Sequence, residues 1–282
     1  MVIWQALLLG LIQGVAELFP VSSLGQTILI VNLFKWETGN DFLAFLVALH
    51  LATAVALLIY FWADWGVVFR AYAGSLRQRK LVYDGPSKFA WLLVAGTIVV
   101  GAVGVLFEKH LRTFFENPRY AWIVAAILVL NGLLMLFADM VKKRTATPTP
   151  EQGKRTEDMT LPEGAAVGAA QTLALFPGVS RSGAAIVGGL LAGLTYEEAS
   201  RFAFMLATPV IGLAAIRELP TLLGHEARPI LVPAIAGAVV AGIAAYLSVS
   251  FLMKYFRHHR LAPFAYYCIA FGLVSLILLY PH

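Results

Sequence analysis

The chain of 282 residues is 60% hydrophobic and only 13% charged, with a mean hydropathy of +0.78, whereas charged residues make up about a quarter of a soluble domain. That balance excludes a soluble globular protein and defines an integral membrane protein. The net charge of +5 does not point to nucleic acid, because Lys and Arg gather between apolar segments instead of along one face. The single cysteine, Cys268, lies inside an apolar segment and leaves no internal disulfide to form.

The first apolar region, residues 2–33, lacks the basic start and small-x-small cleavage site of a signal peptide and carries Gln13 and Glu17, so it is read as part of the working protein. It is broken by "FPVSSLG". Each half is about 11 to 16 residues, short of the roughly 20 that a spanning helix needs, which predicts a re-entrant helical hairpin. Three candidate spans follow at about 42–62, 88–107 and 120–139. A polar stretch, "KKRTATPTPEQGKRTEDMT", is expected to be a mobile, solvated join over 140–161. A second broken region, 162–194, is interrupted by "FPGVSRSG". Spans at about 198–217, 229–252 and 262–280 complete the chain.

The two broken regions resemble each other. A shift of 158 residues aligns Gly10 with Gly168, Gln13 with Gln171, Val21 with Val179, Ser22 with Ser180, Gly25 with Gly183 and Ile28 with Ile186, and the "LFP" triplets at 18–20 and 175–177 align one residue off that register. The fold expected is therefore all-α and polytopic: six transmembrane helices plus two re-entrant hairpins, in two repeats over 1–139 and 162–282. Three crossings between the hairpins make the repeat inverted, with the tips meeting near mid-membrane. The loops on one side hold 13 Lys and Arg against 6 on the other. This places the first set in the cytoplasm, and both termini and the entry of the first hairpin on the outside.

Ionisable groups at membrane depth cost a few kcal/mol and mark function. Glu17, His50, Arg181 and Arg201 stand out. Glu17 and Arg181 each sit at a hairpin break. In "FPGVSRSGAAI", Gly178 and Gly183 permit close backbone approach, Ser180 and Ser182 supply hydroxyls and Arg181 supplies a two-pronged cation, the parts of a phosphate or other oxyanion site. Arg201 is expected to pair with Glu197 four residues earlier, and the "RHHR" run at 257–260 reads as a basic surface anchor away from any carboxylate.

"QGVAELFPVSS" and "PGVSRSG" resemble the two signature motifs of the undecaprenyl pyrophosphate phosphatase family, the bacitracin-resistance membrane phosphatases, and the likeness runs the length of the chain. The resemblance implies hydrolysis of undecaprenyl pyrophosphate to the monophosphate and phosphate, recycling a lipid carrier for cell-wall synthesis. It also implies residence in a bacterial inner membrane, a site open to the periplasm, and a divalent cation, magnesium or calcium. By the same resemblance Glu17 is the motif's acidic residue and a metal ligand, Gln13 fills its Glu-or-Gln slot, Ser22 and Ser23 are its serine pair with Ser23 the nucleophile or orienting hydroxyl, and Arg181 binds phosphate. Gly25, Gln26, Gly178, Ser180, Ser182 and Gly183 complete the expected substrate cradle. One departure stands out: Gln26 occupies the place of a family histidine, while His50 lies where relatives carry Gln. His50 is therefore expected to supply the imidazole.

The partners expected are a polyprenyl pyrophosphate lipid and the bilayer, with no nucleic acid and with a homodimer left open. A transporter or flippase of a phosphorylated lipid is the alternative, because broken helices in inverted repeats also build transporters. The other large class of membrane phosphatases is disfavoured, since no "PSGH" occurs.

Overall fold

The computed structural model describes residues 2–36, 42–115, 118–145, 153–218, 220 and 230–280, with backbone alone for 108–115, 118 and 144–145. The centre of the expected join and Arg228 lie outside the described residues. Eleven α-helices are present among them: α1 (Ile3–Ala16), α2 (Ser23–Leu33), α3 (Phe42–Tyr60), α4 (Trp62–Gln78), α5 (Gly85–Phe115), α6 (Ala121–Thr145), α7 (Leu161–Gln171), α8 (Arg181–Leu191), α9 (Tyr196–Arg217), α10 (Leu231–Tyr255) and α11 (Ala262–Leu279). No strand forms among the described residues beyond one bridge between Lys154 and Leu194.

Six helices, α3, α5, α6, α9, α10 and α11, are long and apolar enough to cross a membrane, matching the six expected spans. Apolar side chains such as Ile98, Leu130, Leu247 and Ile277 point outward and stay exposed. Hydrocarbon accepts such a surface, and helices close their own backbone hydrogen bonds there. The two broken regions form two pairs of short helices, α1–α2 and α7–α8, of 14, 11, 11 and 11 residues.

The packing pairs corresponding helices of the two halves. α1 lies on α10, the second span of the other half, and α7 lies on α5, again the second span of the other half. Both crossings bring backbones together at glycine. A Cβ on Gly10 would stand 2.3 Å from the Gly237 carbonyl oxygen, and one on Gly168 would stand 2.4 Å from that of Gly96. α3 packs on α9, the first spans of the two halves on each other, and α6 packs on α11, the third spans.

Several helix ends are closed by side chains of other elements. On α6, buried Asp139 accepts from Tyr196 Oη (2.7 Å) and from the Leu261 N–H (3.4 Å) at the start of α11. One turn on, buried Lys142 Nζ donates to the Gly193 carbonyl (3.1 Å) just after α8. A carboxylate at a helix N-terminus and an ammonium at a C-terminus each complement the macrodipole. The start of α7 is a capping box of Thr160 and Glu163, and the ammonium of Lys154 together with the Thr160 amide hold the Glu163 carboxyl down to about 2.

Three sequence readings need correction. Residues 63–78, expected as part of a loop over 63–87, lie in α4, whose buried Trp65, Val68, Ala71 and Ser75 follow a helical period. Arg201 pairs with Asp64 of α4 (2.5 Å) and lies over the Phe89 ring, not with Glu197, because its side chain turns toward α4 and α5. Glu197 instead takes Arg257 (2.9 Å), so the "RHHR" run does meet a carboxylate.

Candidate active site

The sequence between α1 and α2 dictates a break. Pro20 has no N–H to continue a helix, and Ser22 adopts a left-handed backbone (φ 65°) from which its Oγ accepts the Gly25 N–H (3.3 Å), capping α2. Ser180 does the same for α8, accepting the Gly183 N–H (3.1 Å) and exchanging a bond with Ser182 (3.0 Å). The tips touch. Gly178 N–H donates to Ser22 Oγ (3.2 Å), and Ser182 Oγ donates to the Phe19 carbonyl (3.3 Å). A Cβ on Gly25 would stand 3.0 Å from Gly178, so both glycines serve this approach.

With the tips joined, the first residue of α2, Ser23, and the first of α8, Arg181, face one carboxylate. Glu17 is buried and closes the last turn of α1. Its Oε2 accepts from Ser23 Oγ (2.5 Å) and from Gln13 Nε2 (3.0 Å), with His50 Nε2 of α3 3.6 Å away, while Oε1 lies 3.7 Å from Arg181 Nη2. The Glu17 side chain keeps 4% of its surface, but Arg181 and His50 keep 25% and 22%. A ligand can therefore reach the guanidinium and the imidazole while the carboxylate stays sheltered behind them. His50 Nδ1 bonds the Leu46 carbonyl (2.8 Å), which requires a proton on Nδ1 and turns Nε2 toward Glu17.

α2 and α8 both begin at the meeting point, so both present first-turn N–H groups that have no intrahelical partner, at the positive ends of their dipoles. Two such N-termini and one guanidinium suit a diphosphate, whose charge is spread over several oxygens.

The expected residues thus divide. Glu17, Ser23, His50, Arg181 and Gln13 share one cluster. Ser22, Ser180 and Ser182 lie at the tips, where their hydroxyl oxygens take part in caps and cross-tip bonds, and Gly25, Gly178 and Gly183 supply the close packing. Gln26 is buried with both amide ends used: Nε2 donates to the Val21 carbonyl (3.0 Å) and Oε1 accepts from Tyr267 Oη (2.9 Å). Asn131 of α6, which the sequence reading passed over, touches both tips. Its signal was a lone amide in the apolar run "LVLNGLLML".

For a divalent cation the donor set is small but suitable. Beside the Glu17 carboxylate, Gln13 Oε1 is buried and meets no hydrogen-bond partner among the described residues. No group of three or more His, Cys, Asp and Glu side chains occurs among those residues. Magnesium is commonly held by one or two carboxylates, with phosphate oxygens and water completing its shell, so Glu17 and Gln13 fit that role.

Six spans and two broken helical pairs, with α2 and α8 beginning at a carboxylate, a serine and an arginine, define a multi-pass membrane protein with a candidate site at that meeting point. Residues 6–274 match the family described as bacitracin resistance protein BacA, and the chain belongs to that family. Among curated proteins it is similar to undecaprenyl-diphosphatase of Mycolicibacterium paratuberculosis (40% identical over 296 residues, 97% of this chain and 96% of the other). It is likewise similar to the protein of that name from Acidiphilium cryptum (42% over 282 residues, 97% of each) and to undecaprenyl-diphosphatase 2 of Burkholderia ambifaria (44% over 280 residues, 98% and 96%).

Proposed function

We propose that this chain is a membrane hydrolase that converts undecaprenyl pyrophosphate to undecaprenyl phosphate and inorganic phosphate. The observation that carries the reading is the convergence of Glu17, Ser23 and Arg181 at the junction of two helix N-termini, in a chain of the BacA family whose curated relatives are undecaprenyl-diphosphatases. Phosphoryl transfer asks mainly for positioning and charge neutralisation, and the cluster supplies both.

In this reading Arg181 and the first-turn amides of α2 and α8 bind the diphosphate. Ser23 Oγ attacks the terminal phosphorus as its proton passes to Glu17 Oε2, already its hydrogen-bond partner. The bond from that phosphorus to the bridging oxygen breaks, and the bridging oxygen leaves on undecaprenyl phosphate. Water then splits the seryl phosphate, giving inorganic phosphate and restoring the serine hydroxyl. His50, whose Nε2 lies 3.6 Å from Glu17 Oε2, takes the proton from Glu17 after the transfer and returns it as the serine hydroxyl is restored. A divalent cation held by Glu17 and Gln13 would neutralise charge on the phosphate oxygens.

The excess of Lys and Arg on one set of loops supports a site open to the outer face of the bacterial plasma membrane, with both termini outside. Single cysteines introduced at Lys35 and at Arg79 test the orientation, because an impermeant thiol reagent should label only the first in intact cells.

The function is tested by phosphate release from undecaprenyl pyrophosphate by purified protein in detergent, with and without chelator. Release that stops in Arg181→Ala and with chelator is expected. A lipid transporter would release none, and full activity in Arg181→Ala would remove the site assignment.

A further inference from the structure

Asn131 is buried in α6, 2% exposed, and its carboxamide serves both tips at once. Nδ2 donates to the Pro20 carbonyl (3.2 Å) in the first tip, and Oδ1 accepts the Ser180 N–H (3.1 Å) in the second. Nδ2 also approaches Cys268 Sγ of α11 (3.6 Å), whose thiol is itself directed at the Pro20 carbonyl (3.7 Å). Pro20 lies midway between Glu17 and Ser23 in the chain, and Ser180 immediately precedes Arg181. The same helix backs the second tip, since a Cβ on Gly178 would meet the Val124 carbonyl oxygen at 2.6 Å and Ile127 at 2.9 Å.

The direct bonds between the tips, Ser22 to Gly178 and Ser182 to Phe19, hold the two turns to each other. The Asn131 amide ties both to a spanning helix. It needs a donor and an acceptor on one short planar group, which asparagine has. Aspartate lacks the donor, leucine lacks both, and glutamine is one methylene longer.

We propose that Asn131 is a positioning residue that sets the separation of Glu17 and Ser23 from Arg181, and so governs the rate of phosphoryl transfer more than the affinity for lipid. The proposal rests on the phosphatase reading of the site. Asn131→Leu should lower kcat by about 10- to 100-fold, the scale of a misplacement near 1 Å, with KM changed less than about threefold. Amide hydrogen exchange should rise in peptides covering both tips.

Asn131→Asp sharpens the test, because a protonated carboxyl again offers one O–H donor and one acceptor to the same two partners. The groups facing it are the Cys268 thiol and the two backbone groups, with Arg181 next to Ser180 in the chain. Burial favours the neutral acid. Activity of Asn131→Asp relative to the parent should therefore be highest near pH 6 and fall toward about pH 9 as the acid ionises, while Asn131→Leu stays uniformly low.

Unchanged kcat in Asn131→Leu, or faster exchange at neither tip, overturns the proposal, as does an Asn131→Asp profile parallel to the parent's. If the parent protein releases no phosphate, the phosphatase reading fails on its own. The exchange measurement then still decides whether Asn131 holds the tips.

Discussion

The two helical breaks begin as copies and end as opposites. In the first, "QGVAELFPVSS" keeps helical hydrogen bonding through Glu17, whose N–H reaches the Gln13 carbonyl (2.9 Å), so the Gln13 and Glu17 side chains share a face and bond each other (3.0 Å). In the second, "QTLALFPGVSR" has one residue fewer between glutamine and "LFP", and the chain tightens into a 3₁₀ turn over Thr172–Leu175. No carboxylate follows, and the Gln171 amide is buried with no partner among the described residues. The missing residue returns after the proline as Gly178, at φ +107°, whose N–H caps the other tip. The position that opens the second helix is Ser23 in one copy and Arg181 in the other. A near-symmetric scaffold thus carries a one-sided site: hydroxyl and carboxylate from one copy, guanidinium from the other.

The largest expected effect comes from removing that asymmetry. Glu17→Gln and Arg181→Ala should each cut phosphate release by about 10²- to 10³-fold or more, since each deletes a preorganised charge from a sheltered site. An activity loss below about tenfold in either would contradict the division of labour between the copies.

What the copies share should break alike. Gly10→Ala and Gly168→Ala each drive a methyl group into a backbone carbonyl of the facing span, and each should cost about 3 kcal/mol of stability. Gly101→Ala, with nothing within 4 Å, should instead be neutral or slightly stabilising. Thermal unfolding in detergent reads all three, and unequal penalties at Gly10 and Gly168 would deny that the crossings are equivalent.

Gly178→Ala strikes the inserted residue. It combines a left-handed φ with contact at 2.6 Å and should cost about 2 kcal/mol, with activity falling further than the loss of folded protein explains. The smallest effect separates the two glutamines. Gln171→Leu should leave turnover intact and stabilise by up to about 1 kcal/mol, because it removes an unpartnered buried amide. Gln13→Leu should reduce turnover while leaving the melting temperature close to the parent's.

Much of this was legible in the sequence because the signals were large. Six apolar runs of spanning length, two runs halved by Pro and Ser, and charges at membrane depth each have few physical explanations, and the Glu17–Arg181 meeting follows from them. The unread parts depend on where a side chain turns. Arg201 had a plausible partner four residues away and chose Asp64, 137 residues distant. α4 was hidden because Arg70 and Arg77 on its exposed face, with Arg79 and Lys80 just beyond its end, make the stretch resemble a loop. The hydroxyls of Ser22, Ser180 and Ser182, expected as ligands for phosphate, also cap the helix starts and join the tips, contacts that only the fold brings about. Gln26 was read as part of the substrate cradle, and only the fold brings Tyr267 to its amide, a contact across 241 residues.

α6 carries three polar side chains, Asn131, Asp139 and Lys142, that fix respectively the two tips, the start of α11 and the end of α8. On a helix each residue adds about 1.5 Å and 100°. A single residue inserted or deleted between 131 and 139 would therefore swing Asp139 and Lys142 off their targets while Asn131 stayed in place. α6 is in this respect a phased ruler, more sensitive to a change of length than to a change of apolar composition. Variation along this chain should accordingly add and remove residues in its polar joins and spare the segment from Asn131 to Lys142.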